Sequence, residues 1–194
     1  MQIQTRTGPR TPPPMLENQY KFTVHSHFVL PALRAAERRG ISPTSLLQGT
    51  GVSLHALREP QMRFTIDQFN TIVRRIWKLL DDENTGLLPA ALPLGAGRAM
   101  YELAMNARSV EEVFRKIARD WRLVVPYVRS QFEVSSGQAR LAFSFLGFED
   151  EAHVCTELTI LCWHRYACWL AGKSFPLQRI SFRYERPDHA DEYA

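Results

Sequence analysis

The sequence predicts an α+β fold in which helices pack on a small, mainly antiparallel sheet and one long helix is buried. Most of the chain carries apolar residues at helical spacing, whereas residues 128–145 alternate between apolar and polar side chains. Residues 180–184 alternate again after a long apolar helix, which predicts a third strand. Three strands with one apolar face are stable when helices cover that face.

Composition is that of an ordinary globular protein with a single folded domain. The 194 residues are 45% hydrophobic and 23% charged, and the net charge of +4 is too small to indicate nucleic-acid binding by itself. No stretch reaches the roughly 18 apolar residues of a membrane span, and the N-terminus lacks the apolar core of a signal peptide. We expect residues 1–20 to be a disordered lead-in and residues 21–194 to form the domain.

Capping signals define the helices of the first half of the chain. Residues 27–39 are amphipathic and precede Gly40, which is typical of a helix that ends in a left-handed glycine. Pro43 begins a short helix, because proline suits the first helical position. Thr65, followed three residues later by Gln68, forms a capping box for the longer helix that comes next.

The second half combines helices with a hairpin. Residues 97–106 predict a short helix, and Ser109 with Glu112 predicts a capping box for the following one. The alternating stretch turns near Gly137, so it indicates a two-stranded hairpin. A long apolar helix then spans residues 150–172 and contains all three cysteines, a pattern that fits reduced thiols in the cytoplasm rather than disulfides.

Four blocks of sequence, taken in order, carry a resemblance to a known family. They are Gly40-Ile41-Ser42-Pro43 with its continuation to Val52, then Gly86-Leu87, then residues 97–123, and finally Pro187-x-His189-x-x-x-Tyr193. Over residues 30–193 the chain resembles the N-terminal regulatory, arabinose-binding-like domain of AraC-type bacterial transcription regulators. In that family a helix-turn-helix module follows. Because this chain ends at Ala194, we expect a domain truncated at its C-terminal edge, without the DNA-reading half.

The resemblance implies a function in transcription regulation. A domain of this kind binds a small effector or pairs protomers, and it passes the signal to a C-terminal DNA-binding module. The matching blocks are caps, turns and core positions, so no enzyme activity and no cofactor are expected. The alternative is an interaction or dimerisation module without an effector, and a homodimer fits either function.

The long helix contains the candidate ligand-binding residues. On a helical wheel, His153, Glu157, His164 and Cys168 fall on one polar stripe. Two interpretations remain open: the stripe faces solvent, with His153 and Glu157 as an i,i+4 pair, or it lines an effector pocket between sheet and helix. In the second interpretation Glu157 and the histidines orient a polar head group, while Trp163 or Phe143 packs on the apolar part of the effector. A nearby supply of aromatic residues suits a partly apolar carboxylate as the effector.

Other features of this helix are interpreted more simply. A second stripe is predicted to be core and comprises Cys155, Leu158, Cys162, Tyr166 and Trp169. His164 and Cys168 can share a metal ion at i,i+4 spacing, with Glu157 or His153 as a further ligand. No CxxC or HExxH pattern supports such a site, and His25 and His27 are assigned to the lead-in. We therefore expect no metal site. Arg122 and Arg129 flank the predicted sheet and are candidates for a carboxylate contact or, more simply, surface arginines.

Overall fold

A computed structural model describes residues 23–59, 61–174, 176–187 and 189–190 of the chain. The described helices are α1 (Leu30–Arg38), α2 (Pro43–Leu47), α3 (Ile66–Leu80), α4 (Ala96–Ala104), α5 (Val110–Val124) and α6 (Val154–Ala171). The described strands are β1 (Thr23–His25), β2 (Arg63–Thr65), β3 (Val128–Ser135) and β4 (Gln138–Phe145). The fold is α+β, as predicted, whereas the expected lead-in over residues 1–20 lies outside the described residues.

Within the described residues, no helix combines the length and the apolar character that crossing a membrane requires.

The first three helices enclose one apolar core. Leu46, Phe64, Ile72 and Ile76 are all 0% exposed at its centre. The capping box at the start of α3 is confirmed. The Thr65 hydroxyl accepts a hydrogen bond from the backbone N–H of Gln68, and the side-chain oxygen of Gln68 accepts one from the backbone N–H of Thr65. Local sequence signals thus place α3 correctly and aim its apolar face at α1 and α2.

A small sheet that the sequence did not predict covers this core. Strands β1 and β2 pair antiparallel, with Thr23 opposite Thr65 and His25 opposite Arg63. Each strand has only three residues, which is too short for an alternating pattern to be recognised. His25 therefore lies inside the fold, so its assignment to the lead-in was wrong.

The predicted hairpin is confirmed. Strands β3 and β4 pair from Val128 opposite Phe145 to Ser135 opposite Gln138. The connecting residues Ser136 and Gly137 have φ of 50° and 75°, which is the geometry of a two-residue primed turn. This register turns alternate side chains of both strands toward α5 and α6.

Helix α5 begins with only half of the predicted capping box. The Ser109 hydroxyl accepts the Glu112 amide at 3.1 Å. The Glu112 carboxylate, however, accepts the amide of Arg108 at 2.8 Å instead of the Ser109 amide. Both arrangements satisfy orphan amides at the helix start, so the position of the helix is predicted correctly although its hydrogen bonds are not.

The predicted third strand is wrong. Residues 180–184 contain no strand in the structure, although their side chains do alternate between partly buried and exposed. The Tyr184 ring stacks on His153 at the start of α6, with 3.8 Å between ring centroids. An extended segment that lies on a helix buries every second residue, as a strand does, and the alternation does not distinguish the two.

The loop between α3 and α4 is organised by two carboxylates. The carboxylate of buried Asp82 accepts hydrogen bonds from the backbone N–H groups of Asn84, Gly86 and Leu92, each at 2.8 Å. Glu83 accepts the amides of Gly95 and Gly97 at 2.7 and 2.8 Å, at the first turn of α4. A carboxylate at a helix N-terminus satisfies orphan amides and complements the helix dipole. These contacts fix where α4 begins, and α4 forms one wall of the cleft described next.

Candidate functional site

The structure distributes the five predicted ligand-binding residues over three places along α6. Trp163 lies in the core, where its ring packs on Phe114 and Phe143. His164 lies 3.6 Å from Cys168, nitrogen to sulfur, on the partly buried side of the helix.

The other two predicted residues, His153 and Glu157, lie at the start of α6. His153 is exposed and stacks on Tyr184, whereas Glu157 is 1% exposed. The solvent-facing interpretation of the polar stripe is therefore wrong for Glu157.

Glu157 lies at the centre of a buried polar cluster, which we call the Glu157 cluster and which also includes His27, Tyr184 and His189. The Nε2 atoms of His27 and His189 lie 2.6 and 2.9 Å from the same carboxylate oxygen, Oε2. The Tyr184 hydroxyl donates to the other oxygen, Oε1, at 2.8 Å. Burial and this hydrogen bond to a carboxylate raise the pKa of Tyr184 above its usual value. Tyr184 therefore remains a hydrogen-bond donor at neutral pH.

Aromatic packing keeps the rings of the cluster in place. The His27 and His189 rings stack with centroids 3.6 Å apart, and Phe28 meets His27 edge-on at 4.9 Å. The backbone amide of His27 donates to Nδ1 of His25. Four of the six histidines in the chain thus lie at or beside Glu157: His25, His27, His153 and His189.

Sequence reasoning identified Glu157 but missed its partners. His27 was assigned to the lead-in, and His189 appeared only as part of a family block near the end of the chain. The signal that was available is a glutamate inside a highly apolar helix, because a buried carboxylate needs hydrogen-bond donors from elsewhere. The partners come from sequence positions 130 and 32 residues away, which no local pattern connects.

A second feature lies farther along α6, where an open cleft of about 570 Å³ separates it from α4. We call it the α4–α6 cleft. Its walls are mainly apolar and are formed by Tyr101, Met105, Cys162, Tyr166 and Trp169, and its rim carries Arg98, Glu102 and Arg165.

The prediction that the second stripe of α6 is core holds for buried Cys155, against whose cluster Leu158 packs, but it is wrong farther along the helix. Cys162 and Trp169 are exposed and line the cleft instead. The stripe was misassigned because apolar side chains occur on nearly every side of α6, so a helical wheel cannot identify one buried face.

Stacked rings and an unused hydroxyl characterise the cleft. The Tyr166 ring lies 4.4 Å from Tyr101 and 5.9 Å from Trp169, centroid to centroid. The Tyr166 hydroxyl oxygen is buried and has no hydrogen-bond partner among the described residues. Burial raises the pKa of Tyr166 to about 12, so this hydroxyl keeps its proton at neutral pH.

The two arginines of the rim differ in how they are engaged. Arg98 pairs with Glu102 at 2.7 Å across one helical turn. Arg165 is exposed and makes no ion pair with any residue that the structure describes. Arg122 and Arg129 are also exposed, and neither lines the cleft. Arg165 is therefore the cation at this cleft that is available to a ligand.

Comparison with known proteins agrees with this architecture. The model of the arabinose-binding domain found at the N-terminus of AraC transcription regulators matches residues 40–194. The chain belongs to this family. Among curated proteins and among solved structures, none matches the chain significantly. The resemblance found in the sequence is confirmed, and this arabinose-binding-type domain is a regulatory, ligand-binding domain of a transcription regulator.

Proposed function

We propose that this chain is the effector-sensing part of an AraC-type transcriptional regulator and that the effector binds in the α4–α6 cleft. The observation that carries the proposal is an apolar, aromatic cleft lined by Tyr166, whose buried hydroxyl has no hydrogen-bond partner in the part of the chain that the structure describes. A volume of about 570 Å³ suits a small organic ligand, since ligand pockets measure roughly 300–1,000 Å³. The proposal assigns binding to the cleft and no chemical turnover.

The lining defines the class of ligand. The rings of Tyr101, Tyr166 and Trp169 favour a flat, apolar body. Arg165 supplies a guanidinium that pairs with a carboxylate through two parallel hydrogen bonds. The expected effector is therefore an aromatic or otherwise apolar carboxylate.

The Tyr166 hydroxyl adds specificity. A buried hydroxyl without a partner costs about 1–3 kcal/mol, and a ligand acceptor recovers that energy. Because the hydroxyl is fully buried, a ligand reaches it only when a neighbouring side chain moves, and we infer that this is Tyr101, whose ring lies 4.4 Å from that of Tyr166. This displacement moves a side chain of α4, so binding is coupled to the position of that helix.

A signal passes from the cleft through its two walls. Glu83 fixes the start of α4, and α6 extends from the cleft to the Glu157 cluster. An effector that prefers one spacing of α4 and α6 shifts the population of the domain toward that spacing. In a cytoplasmic regulator, a docked DNA-binding module senses that shift. Formation of a homodimer stays a prediction.

Thermal shift and calorimetry with a panel of apolar carboxylates, each paired with its primary amide, test the proposal. We expect an acid to stabilise the chain and its amide to bind at least tenfold more weakly. Arg165→Ala removes this preference for the acid, whereas Arg122→Ala, an exposed arginine outside the cleft, keeps it. If no acid binds, or if Arg165→Ala binds as the unchanged chain does, the cleft is not an effector site.

Tyr166→Phe separates a binding role from a purely structural one. Removal of an unsatisfied buried hydroxyl leaves stability unchanged or raises it by up to about 1 kcal/mol. The same substitution lowers affinity for the acid when the hydroxyl contacts the ligand. The role predicted for His153, Glu157, Trp163, His164 and Cys168 stays a prediction, which the corresponding alanine variants test in this assay.

Native mass spectrometry of the purified chain complements these assays. Excess mass that leaves on gentle activation supports a retained effector and gives its mass. A bare dimer supports the interaction module instead.

A further inference from the structure

We propose that His27, Glu157 and His189 form a binding site for one divalent transition-metal ion, with Zn²⁺ as the best match. One ligand atom from each residue lies within 4.8 Å of the other two. Two imidazoles and one carboxylate are a donor set that zinc accepts in proteins, usually with a fourth position left for water or another ligand. This inference does not depend on the effector cleft.

The distances are close to those of a coordinated ion. Ligand atoms about 2.0–2.1 Å from a tetrahedral zinc ion lie about 3.3 Å from one another. The two imidazole nitrogens now lie 2.6 and 2.9 Å from Glu157 Oε2, at hydrogen-bond length. Zinc therefore enters when this oxygen withdraws by about 0.5 Å and the stacked imidazole rings rotate so that both lone pairs face the ion.

The neighbouring groups support this rearrangement. Tyr184 donates to Oε1, which orients the carboxylate and leaves Oε2 directed at the two histidines. Such hydrogen bonds to metal ligands set the geometry of protein metal sites. The edge-on contact of Phe28 and the hydrogen bond from the His27 backbone amide to Nδ1 of His25 hold the turn that carries His27.

The fold provides one rigid ligand and two adjustable ones. Glu157 lies in the first turn of the 18-residue helix α6. His27 lies in a single 3-10 turn, Ser26–Phe28, and His189 lies in the C-terminal segment outside the regular helices and strands. A bound ion would therefore fasten two separate segments to α6.

The donor set also predicts selectivity. Nitrogen-rich sites favour zinc, cobalt, nickel and copper, whereas calcium and magnesium prefer oxygen ligands. The side chains of His27 and His189 are 11% and 12% exposed and that of Glu157 is 1% exposed, so the site excludes most water. The sequence predicted no metal site, and the candidate ligands that it offered all lay along α6.

Metal titration of the full chain after chelator treatment tests the site. We expect one equivalent of Zn²⁺ to bind in competition with a chromophoric chelator, and one equivalent of Co²⁺ to give the visible absorption of a tetrahedral centre. Ca²⁺ and Mg²⁺ should not compete. His27→Ala combined with His189→Ala should weaken Zn²⁺ binding at least 100-fold. His164→Ala removes a histidine of α6 that lies outside the Glu157 cluster, and it should leave Zn²⁺ binding unchanged.

Glu157→Gln is a second variant, chosen because it should remove metal binding without unfolding the chain. This variant keeps the size and one hydrogen-bond acceptor of the side chain but removes its charge, so we expect a folded chain that Zn²⁺ no longer stabilises in thermal unfolding. Uptake below a tenth of an equivalent by the unchanged chain overturns the proposal. It is also overturned if the double-histidine variant binds Zn²⁺ as tightly as His164→Ala does.

Discussion

Replacement of Asp82 by alanine tests whether this one carboxylate holds together the loop that positions α4. Asp82 is 2% exposed, and its two oxygens accept three backbone amides, from Asn84, Gly86 and Leu92. Alanine leaves these three amides without their acceptor. Asparagine keeps one oxygen, which serves Asn84 and Leu92 through Oδ1, but it points an NH₂ group at the Gly86 amide.

The size of the effect follows from the number of hydrogen bonds lost. A hydrogen bond to a charged group is worth about 1.5–3 kcal/mol, and entering water recovers part of the loss. We therefore expect Asp82→Ala to lower the free energy of unfolding by about 4 kcal/mol and Asp82→Asn by about 2 kcal/mol. For a domain of this size 1 kcal/mol shifts Tm by about 2–4 °C. The expected losses in Tm are thus about 12 °C and 6 °C, taking 3 °C per kcal/mol.

Urea unfolding followed by circular dichroism gives both free energies. Asp81→Asn is the matched control, because Asp81 is exposed and adopts a left-handed conformation, φ 49°, that asparagine tolerates. It should change stability by less than about 0.5 kcal/mol. If the three variants unfold at the same urea concentration, the amide contacts of Asp82 do not stabilise the loop.

Two further predictions concern the pH dependence of stability and the space around a glycine. Hydrogen bonds from Arg34 and, to a smaller extent, from Arg38 lower the pKa of the Glu151 carboxyl below its usual 4.5. The stability that this pairing adds is therefore fully present above pH 4.5, and it is lost as the pH falls through the pKa of the folded state. Because the groups are largely exposed, the loss stays below about 1 kcal/mol, and Glu151→Gln should flatten the stability–pH profile there. Gly86→Ala should destabilise the chain in urea more than Gly137→Ala does. The two glycines have φ of +77° and +75°, so the left-handed strain is the same for both alanines. At Gly86, however, the new Cβ would fall 2.5 Å from Nη1 of Arg39, which donates hydrogen bonds to the carbonyls of Ala35 and Gly86 and would have to give them up to move. Equal losses for the two alanines would refute the close-approach argument.

Short-range signals predicted much of the fold. The box at Thr65, the cap at Ser109 and the turn at Gly137 each depend on residues within three positions of one another. Such signals act through hydrogen bonds and backbone geometry that the local sequence already determines. Helices α3 and α5 and the β3–β4 hairpin therefore appear where expected.

Contacts between segments that are distant in the sequence could not be predicted. Pairing of β1 with β2 joins Thr23 to Thr65, and the Glu157 cluster joins α6 to histidines on either side of it. Burial of Glu157 depends on which segments cover α6, and the wheel of an evenly apolar helix carries no such information. For the same reason the α4–α6 cleft was not foreseen.

The Glu157 cluster also has a consequence for the order of folding. It closes one loop of 130 residues, to His27, and another of 32 residues, to His189. The longer closure costs about 1 kcal/mol more in chain entropy than the shorter one. During synthesis His27 emerges early, yet the carboxylate that it meets is made much later, and His189 later still. The polar centre of α6 therefore assembles only after the segment with His189 has been synthesised, which is later than every helix and strand of the described fold.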